Sequence, residues 1–326
     1  MGPRRRLIAG LGLAVACGAG WLAVPRRFEV DGVSMGPALL PGDVVRTGPF
    51  PAFDRLRRPR RLERWVLAAA DSLAVKRVVG LPGEEFVILA GDLVVDGERV
   101  LKGPRLLAEI GSVVPDEATG GPPPAEAGWA WSRPAGEIVD DAAFDEGATR
   151  VLAAVRDVGL AAVLDVRRAS AADPVTVRVR VGEAVLSRPL AGPGRHAFVA
   201  GRLDGHLVLA TWRVRPDAGA AAPRACLPAA APEAWQVADP WPDPAGDDAA
   251  PALAIGGDDR VTIADVVRWR DVAWRPGADG RTSWRLGADE ILVLGDHPAA
   301  STDSRRWGPL KAAALRHRIV SGPPGR

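Results

Sequence analysis

A serine lies in a turn-forming motif near the N-terminal end of the sequence. Ser34 belongs to VDGVSMGPALLPGD, residues 30–43, in which Gly36-Pro37 and Pro41-Gly42 predict tight turns. A serine in such a turn can expose its hydroxyl beside backbone N–H groups that are able to bind an oxyanion. By itself, the motif is more typical of an ordinary turn serine than of a nucleophile.

A lysine occurs in a predicted strand that follows. Lys76 belongs to LAVKRVVGLPGE, residues 73–84, where a β-branched run is ended by a Gly-Leu-Pro-Gly turn. Side chains alternate in an extended segment, so Lys76 shares a face with Ala74 and Val78. Burial penalises an ammonium, and a lysine on this apolar face could therefore lose its proton and act as a base. Taken alone, the pattern is more typical of a charged lysine that reaches the sheet edge.

A polar loop lies between two apolar runs near the C-terminal end. LGDHPAASTDSRRWG, residues 294–308, is dense in Gly, Asp, Ser and Arg. An ion pair between Asp303 and Arg305 could hold such a loop without any catalytic role. Its polar density nevertheless makes it a candidate part of a site.

In this order, the three motifs resemble those of bacterial type I signal peptidases, a family of Ser/Lys proteases. The resemblance implies that Ser34 is the nucleophile and Lys76 the general base. It implies that Met35 helps to shape the substrate groove and that the hydroxyl of Ser301 orients the lysine. The motifs cover a small part of the chain.

The same resemblance implies that Asp303 and Arg305 brace the site. His297 departs from the pattern, because the family usually has asparagine at this place. A Ser/His/Asp triad of Ser34 with His297 is an alternative, but it explains one residue whereas the Ser/Lys arrangement explains three motifs.

An uncharged N-terminal segment predicts membrane attachment. Residues 7–24 form an apolar run of about 18 residues, close to the minimum for one transmembrane helix. Arg4, Arg5 and Arg6 precede it, which favours a cytoplasmic N-terminus (residues 1–6) and a catalytic body on the outer side of the cell membrane. A cleaved signal peptide is the alternative, since Ala and Gly are frequent in the run.

The remaining pattern predicts a mainly β protein. By resemblance, a β-rich catalytic core is formed by residues 25–115 and 259–326. Pro/Gly/Ala-rich linkers delimit a β-sandwich-like insertion at residues 116–258. Its strand-like runs are Ala161–Val166, Val175–Val181, His196–Gly201 and His206–Val214.

Composition and residue spacing predict no metal site and no nucleic-acid partner, and the Ser/Lys mechanism that the resemblance implies needs no cofactor. The net charge is +2 with both signs interspersed, so there is no basic tract for nucleic acid. The 4 histidines and 2 cysteines are too widely spaced to form a metal motif.

The resemblance implies a membrane-bound serine endopeptidase that removes signal peptides from exported preproteins after small-residue, A-x-A-like sites. Its partners would be those signal peptides and the lipid bilayer, with the secretion translocon as a further candidate. One alternative is an inactive, membrane-tethered binding protein on the same scaffold, although the complete set of motif residues argues against it. Another is a self-cleaving Ser/Lys repressor, which would need a DNA-binding helix-turn-helix segment and no membrane span.

Overall fold

The computed structural model describes twelve stretches of the chain, and all structural statements refer to them. They are residues 24–48, 51–69, 72–114, 128–129, 131–133, 138–141, 152–182, 184–190, 192–214, 236–240, 253–257 and 259–322. No helix within these stretches has the length and apolar character needed to cross a membrane. The predicted transmembrane helix at residues 7–24 lies outside them, apart from Val24.

The fold is mainly β, as predicted, with 49% strand and 8% helix. The chain divides into two compact units: unit 1 comprises residues 1–86 and 276–324, and unit 2 comprises residues 87–275 with the last two residues. Unit 2 is larger than the predicted insertion because residues before 116 pack within it. Leu107, for example, is buried in one cluster with Ala161 and Trp269.

Unit 1 contains a seven-stranded sheet with the order β1-β2-β21-β3-β4-β19-β20, numbered along the whole chain. Its strands are β1 Arg27–Glu29, β2 Val44–Thr47, β3 Arg64–Ala69, β4 Ser72–Gly80, β19 Glu290–Leu294, β20 Leu310–Lys311 and β21 Leu315–Ser321. A further strand, β18, spans Ser283–Arg285, and β5 (Glu85–Leu89) contains the division between the units. The 3-10 helices are η1 Pro51–Leu56 and η2 Ala312–Ala314, and the α-helix α2 is Ser304–Trp307.

The alternation of side chains in β3 and β4 divides the core of unit 1 in two. Val66 and Val75 belong to one apolar cluster, whereas Trp65 and Val78 belong to another. Period-2 alternation sends neighbouring residues to opposite faces of a sheet. Both faces of these strands are therefore covered over much of their length, and Lys76 and Arg77 of β4 are buried there.

Unit 2 contains two sheets that share one core. The six-stranded sheet has the order β15-β14-β13-β10-β17-β8 and the four-stranded sheet the order β12-β11-β16-β9. The elements are β6 Asp92–Val95, β7 Glu98–Arg99, α1 Pro104–Ile110, β8 Ser112–Val113, β9 Trp131–Arg133, β10 Val158–Val166, β11 Val175–Val181, β12 Ala184–Leu190, β13 Gly194–Leu203, β14 His206–Arg213, β15 Gln236–Pro240, β16 Leu253–Gly256 and β17 Val261–Arg270.

The valines of β11 pack against β10, β13 and β14 in a cluster that both sheets contribute to. This is the packing of a sandwich. All four strands predicted for this region are present, with bounds that differ by a few residues.

Two glycines let strands β10 and β13 approach a buried tryptophan. Gly159 and Gly201 are directly opposite each other, and Gly159 is also opposite Trp269 of β17. A Cβ on Gly159 would collide with the Trp269 indole and with the backbone oxygen of Ala200. Side chains larger than hydrogen are therefore excluded at this position.

Gly159→Ala is expected to destabilise unit 2 by about 1–3 kcal/mol, because overpacking forces the tryptophan or the strand to move. Gly257→Ala is the matched control: its Cβ would meet the nearest atom at 3.6 Å, an ordinary contact, so its effect should stay below about 1 kcal/mol. Hydrogen exchange of the β10 amides under increasing urea would measure both. Equal protection in the two variants would contradict the packing argument.

Candidate active site

The strand pairing of unit 1 places Lys76 at the centre of the sheet. Strand β4 lies between β3 and β19, with Trp65 directly opposite Lys76 and Leu294 opposite Arg77. Lys76 is only 4% exposed. The loop that follows β19 therefore starts beside the strand segment that carries the lysine.

The loop between β1 and β2 carries Ser34 and is held by its own apolar side chains. Met35 and Leu39 are buried in the cluster that contains Val66 and Val75, and the Leu39 N–H donates to the Met35 carbonyl at 2.8 Å. These contacts fix the turn on the sheet. Lys76 Nζ lies 2.6 Å from Ser34 Oγ, within hydrogen-bond distance.

The C-terminal loop closes over the backbone of Ser34. The backbone N–H of His297 donates to the Ser34 carbonyl at 3.1 Å. A Cβ on Gly295 would collide with this same carbonyl and with Ser301 Oγ. Only glycine at position 295 allows the loop to pass this close to the backbone of Ser34.

Asp303 organises the remainder of the loop. Its carboxylate accepts from the Gly295 N–H at 3.0 Å, from the Arg305 N–H at 3.1 Å, and from Arg305 Nε and Nη2 at 2.9 and 2.7 Å. It is also the N-cap of helix α2. One buried carboxylate thus joins the two ends of the loop, and the role of Asp303 and Arg305 in a catalytic site stays a prediction.

A second buried ion pair adjoins the site and was not predicted. Arg77 donates from Nε and Nη2 to both oxygens of Asp296 at 2.7 and 2.6 Å, with 2% and 0% of the side chains exposed. Each partner is next in sequence to a residue of the site, Lys76 or His297. A signal was present in the sequence: an arginine within a buried strand needs an acidic partner, and the polar loop offered one.

Burial dominates the electrostatics of the lysine. Burial lowers the pKa of Lys76, and the more distant Asp303 and Asp296 oppose this, while Arg305 adds to the lowering. Both aspartates accept hydrogen bonds from arginine side chains. Neither of them forms a direct ion pair with Lys76 among the ion pairs of the described residues, so burial remains the largest influence on its pKa.

The structure brings Ser34, Lys76, Asp303 and Arg305 into one region of unit 1, but it does not join every predicted residue to the site. Ser301 Oγ is buried without a hydrogen-bond partner in the described part of the chain, so its orientation of the lysine stays a prediction.

The positions of Met35 and His297 were not predicted from the sequence. Met35 is 1% exposed and packs in the core, so its contact with substrate also stays a prediction. His297 contacts Ser34 through its backbone, whereas the nitrogen next to the Ser34 hydroxyl belongs to Lys76. This favours the Ser/Lys arrangement over a triad.

Unit 2 holds a buried acidic cluster that could in principle bind a metal. Asp92, Asp157 and Asp204 offer oxygens within 4.8 Å of one another. Lys102 supplies a cation there, because its Nζ contacts Asp204 and lies 2.8 Å from Asp271. The arrangement is that of an internal ion-pair network around Lys102. No spacing of acidic residues in the sequence predicted it.

Asp296→Asn is expected to destabilise unit 1 by about 3–5 kcal/mol, because it leaves the buried Arg77 without a counter-charge. The double variant Arg77→Met/Asp296→Leu should recover most of this loss, since both charges are removed together. Asp289→Asn, at the exposed pair with Lys311, is the control and should have little effect. Urea denaturation measures all three; a stable Asp296→Asn protein would contradict this role of the pair.

Comparison with known proteins does not assign a function to this site. No protein-family model matches the sequence, and no curated protein shows significant similarity to it.

Proposed function

We propose that this protein is a membrane-bound serine endopeptidase that removes signal peptides from exported preproteins. The observation that carries the proposal is the 2.6 Å approach of Lys76 Nζ to Ser34 Oγ, with the lysine almost fully buried. A buried neutral amine at this distance can take the hydroxyl proton and generate a nucleophile. The order of the three motifs, which is that of the type I signal peptidases, supplies the substrate class.

Acylation would begin with proton transfer from Ser34 to neutral Lys76. The serine oxygen then attacks the carbonyl carbon of the last small residue of the signal peptide. Backbone N–H groups of the Ser34 turn would stabilise the oxyanion, since residue 32 is glycine and offers no hydroxyl. Lys76 returns its proton to the leaving amine, and the peptide bond is broken.

Deacylation would use the same lysine a second time. Lys76, neutral again after protonating the leaving amine, accepts a proton from a water molecule that attacks the ester carbonyl. The serine oxygen leaves and takes the proton back from Lys76. These steps return both side chains to their starting state with every proton accounted for by Ser34, Lys76, water and the two products.

The surroundings of Ser34 support access by an extended peptide. A Cβ built on Gly32 would meet no atom within 4 Å, so the chain just before the nucleophile borders open space. Ser34 itself is partly exposed whereas Lys76 is buried. A peptide could therefore reach the hydroxyl while the base remains shielded from water.

Membrane attachment would bring substrate and site together. Ten residues separate Val24, the last residue of the apolar segment, from Ser34, so an extended connection spans at most about 35 Å. A signal peptide that keeps its apolar segment in the bilayer would present its cleavage site at a comparable height. The secretion translocon, which releases such substrates, is a proposed partner on the same ground.

Ser34→Ala and Lys76→Ala are each expected to reduce cleavage of a preprotein with an A-x-A site by at least about 10³-fold, because the nucleophile or its base is lost. The detergent-solubilised full chain would be assayed by the mobility shift of the processed product. Circular dichroism would confirm folding, and Ser72→Ala, an exposed serine of the same strand as Lys76, is the matched control. Inactivity of the parent protein toward several preproteins would favour the inactive binding protein instead.

The rate of cleavage is expected to rise with pH and reach its plateau below the pH at which an ordinary lysine titrates. Only the neutral form of Lys76 can accept the serine proton, and burial lowers the pKa of that side chain. Below this lowered pKa, kcat/KM should climb about tenfold per pH unit. Lys76→Arg, which stays charged throughout, should show no rising limb; a rate independent of pH in the parent would argue against lysine as the base.

A further inference from the structure

The short helix η1 of unit 1 buries its aspartate and exposes two large apolar side chains. Its aspartate, Asp54, is 2% exposed, whereas Phe53 and Leu56 are 48% and 80% exposed. Asp54 is fixed in this orientation because its carboxylate accepts from the Arg318 N–H of β21 at 3.1 Å. This contact fixes the helix in an orientation that leaves the two large apolar side chains in solvent.

Exposed arginines follow these apolar side chains directly. Arg57, Arg58 and Arg60 are exposed, and the stretch from Phe53 to Arg60 contains no exposed acidic residue. Neighbouring Arg61 differs, because it is engaged with Glu84 at 2.6 Å. The exposed part of the stretch thus combines apolar side chains with three positive charges.

The chain leaving the apolar N-terminal segment is attached next to this helix. Arg26, two residues after Val24, exchanges hydrogen bonds with Thr47: its N–H donates to Thr47 Oγ1 at 2.9 Å, and its carbonyl accepts from the Thr47 N–H at 3.0 Å. Helix η1 begins at Pro51, four residues further on. The helix consequently starts within roughly 25 Å of Val24.

We propose that Phe53, Leu56, Arg57, Arg58 and Arg60 form a basic surface that docks on anionic phospholipid headgroups. Apolar side chains enter the boundary between headgroups and acyl chains, while arginines pair with lipid phosphates; this combination is what binds an anionic bilayer. Docking rests on the proposed function in one respect: the apolar N-terminal segment must anchor the chain in a bilayer. Docking would set the height and tilt of unit 1 above the lipid, and with them the position of Ser34.

The expected size of the effect follows from the charges. Each arginine near an anionic surface contributes a factor of about five to binding, so the three together contribute about 100-fold. Because the contribution is electrostatic, it should vanish at about 0.5 M salt, where charges are screened over a few ångströms. Loss of the two apolar side chains should weaken docking without changing its salt dependence.

The test uses the full chain in phosphatidylcholine vesicles with or without about 30% phosphatidylglycerol. An environment-sensitive fluorophore on Leu56→Cys, in a Cys17→Ser/Cys226→Ser background, reports docking through a blue shift and quenching by spin-labelled lipids. Both signals are expected with phosphatidylglycerol and should be lost at high salt. The triple variant Arg57→Ser/Arg58→Ser/Arg60→Ser should lower the docked fraction, whereas Arg168→Ser/Arg281→Ser/Arg285→Ser, with the same change of charge at other exposed sites, should not.

Two outcomes would overturn the proposal: a probe that stays in water in both kinds of vesicle, as for a surface that binds a protein instead, or an equal signal with and without phosphatidylglycerol. Cleavage of a short A-x-A peptide in detergent, measured in parallel, separates this failure from that of the proposed function. That assay needs no bilayer surface, so active protein without docking would refute only the lipid contact. Docking by protein that cleaves neither peptide nor preprotein would refute only the peptidase activity.

Discussion

A lysine amine buried beside a serine hydroxyl is the constraint on which the rest of unit 1 depends. Lys76 has almost no access to water, so its charge state is decided by the protein around it. Asp303, Asp296 and Arg305 act on that charge, and with Arg77 they form two buried ion pairs. Burial outweighs their influence and lowers the pKa of Lys76.

This arrangement requires three segments that are far apart in the chain to meet within a few ångströms. The pairing of β4 with β19 brings Leu294 opposite Arg77, which sets the start of the C-terminal loop. Glycine at position 295 lets that loop touch the backbone of Ser34. Met35 keeps the serine turn on the sheet by filling the apolar core beneath it. These backbone contacts therefore determine where the side chains of Ser34 and Lys76 lie.

Local patterns predicted the elements of the fold better than the contacts between them. Alternating apolar residues predicted four strands of unit 2, all of which are present. Ser34 and Lys76 were found as a pair only through the order of the motifs, because 42 residues separate them. The ion pair of Arg77 with Asp296 spans 219 residues. Such a pairing depends on sheet register, which no local pattern contains.

The two buried lysines of this chain show why burial alone does not make a base. Lys102 of unit 2 is also fully buried, and burial alone would lower its pKa, yet direct ion pairs with Asp204 and Asp271 raise the pKa instead. Lys76 faces a serine hydroxyl, and the aspartates nearest to it are bound to arginines. The difference between a structural ammonium and a potential base therefore lies in which side chains satisfy the nearby carboxylates. In unit 1 Arg77 and Arg305 donate to those carboxylates, and burial remains the dominant influence on the pKa of Lys76.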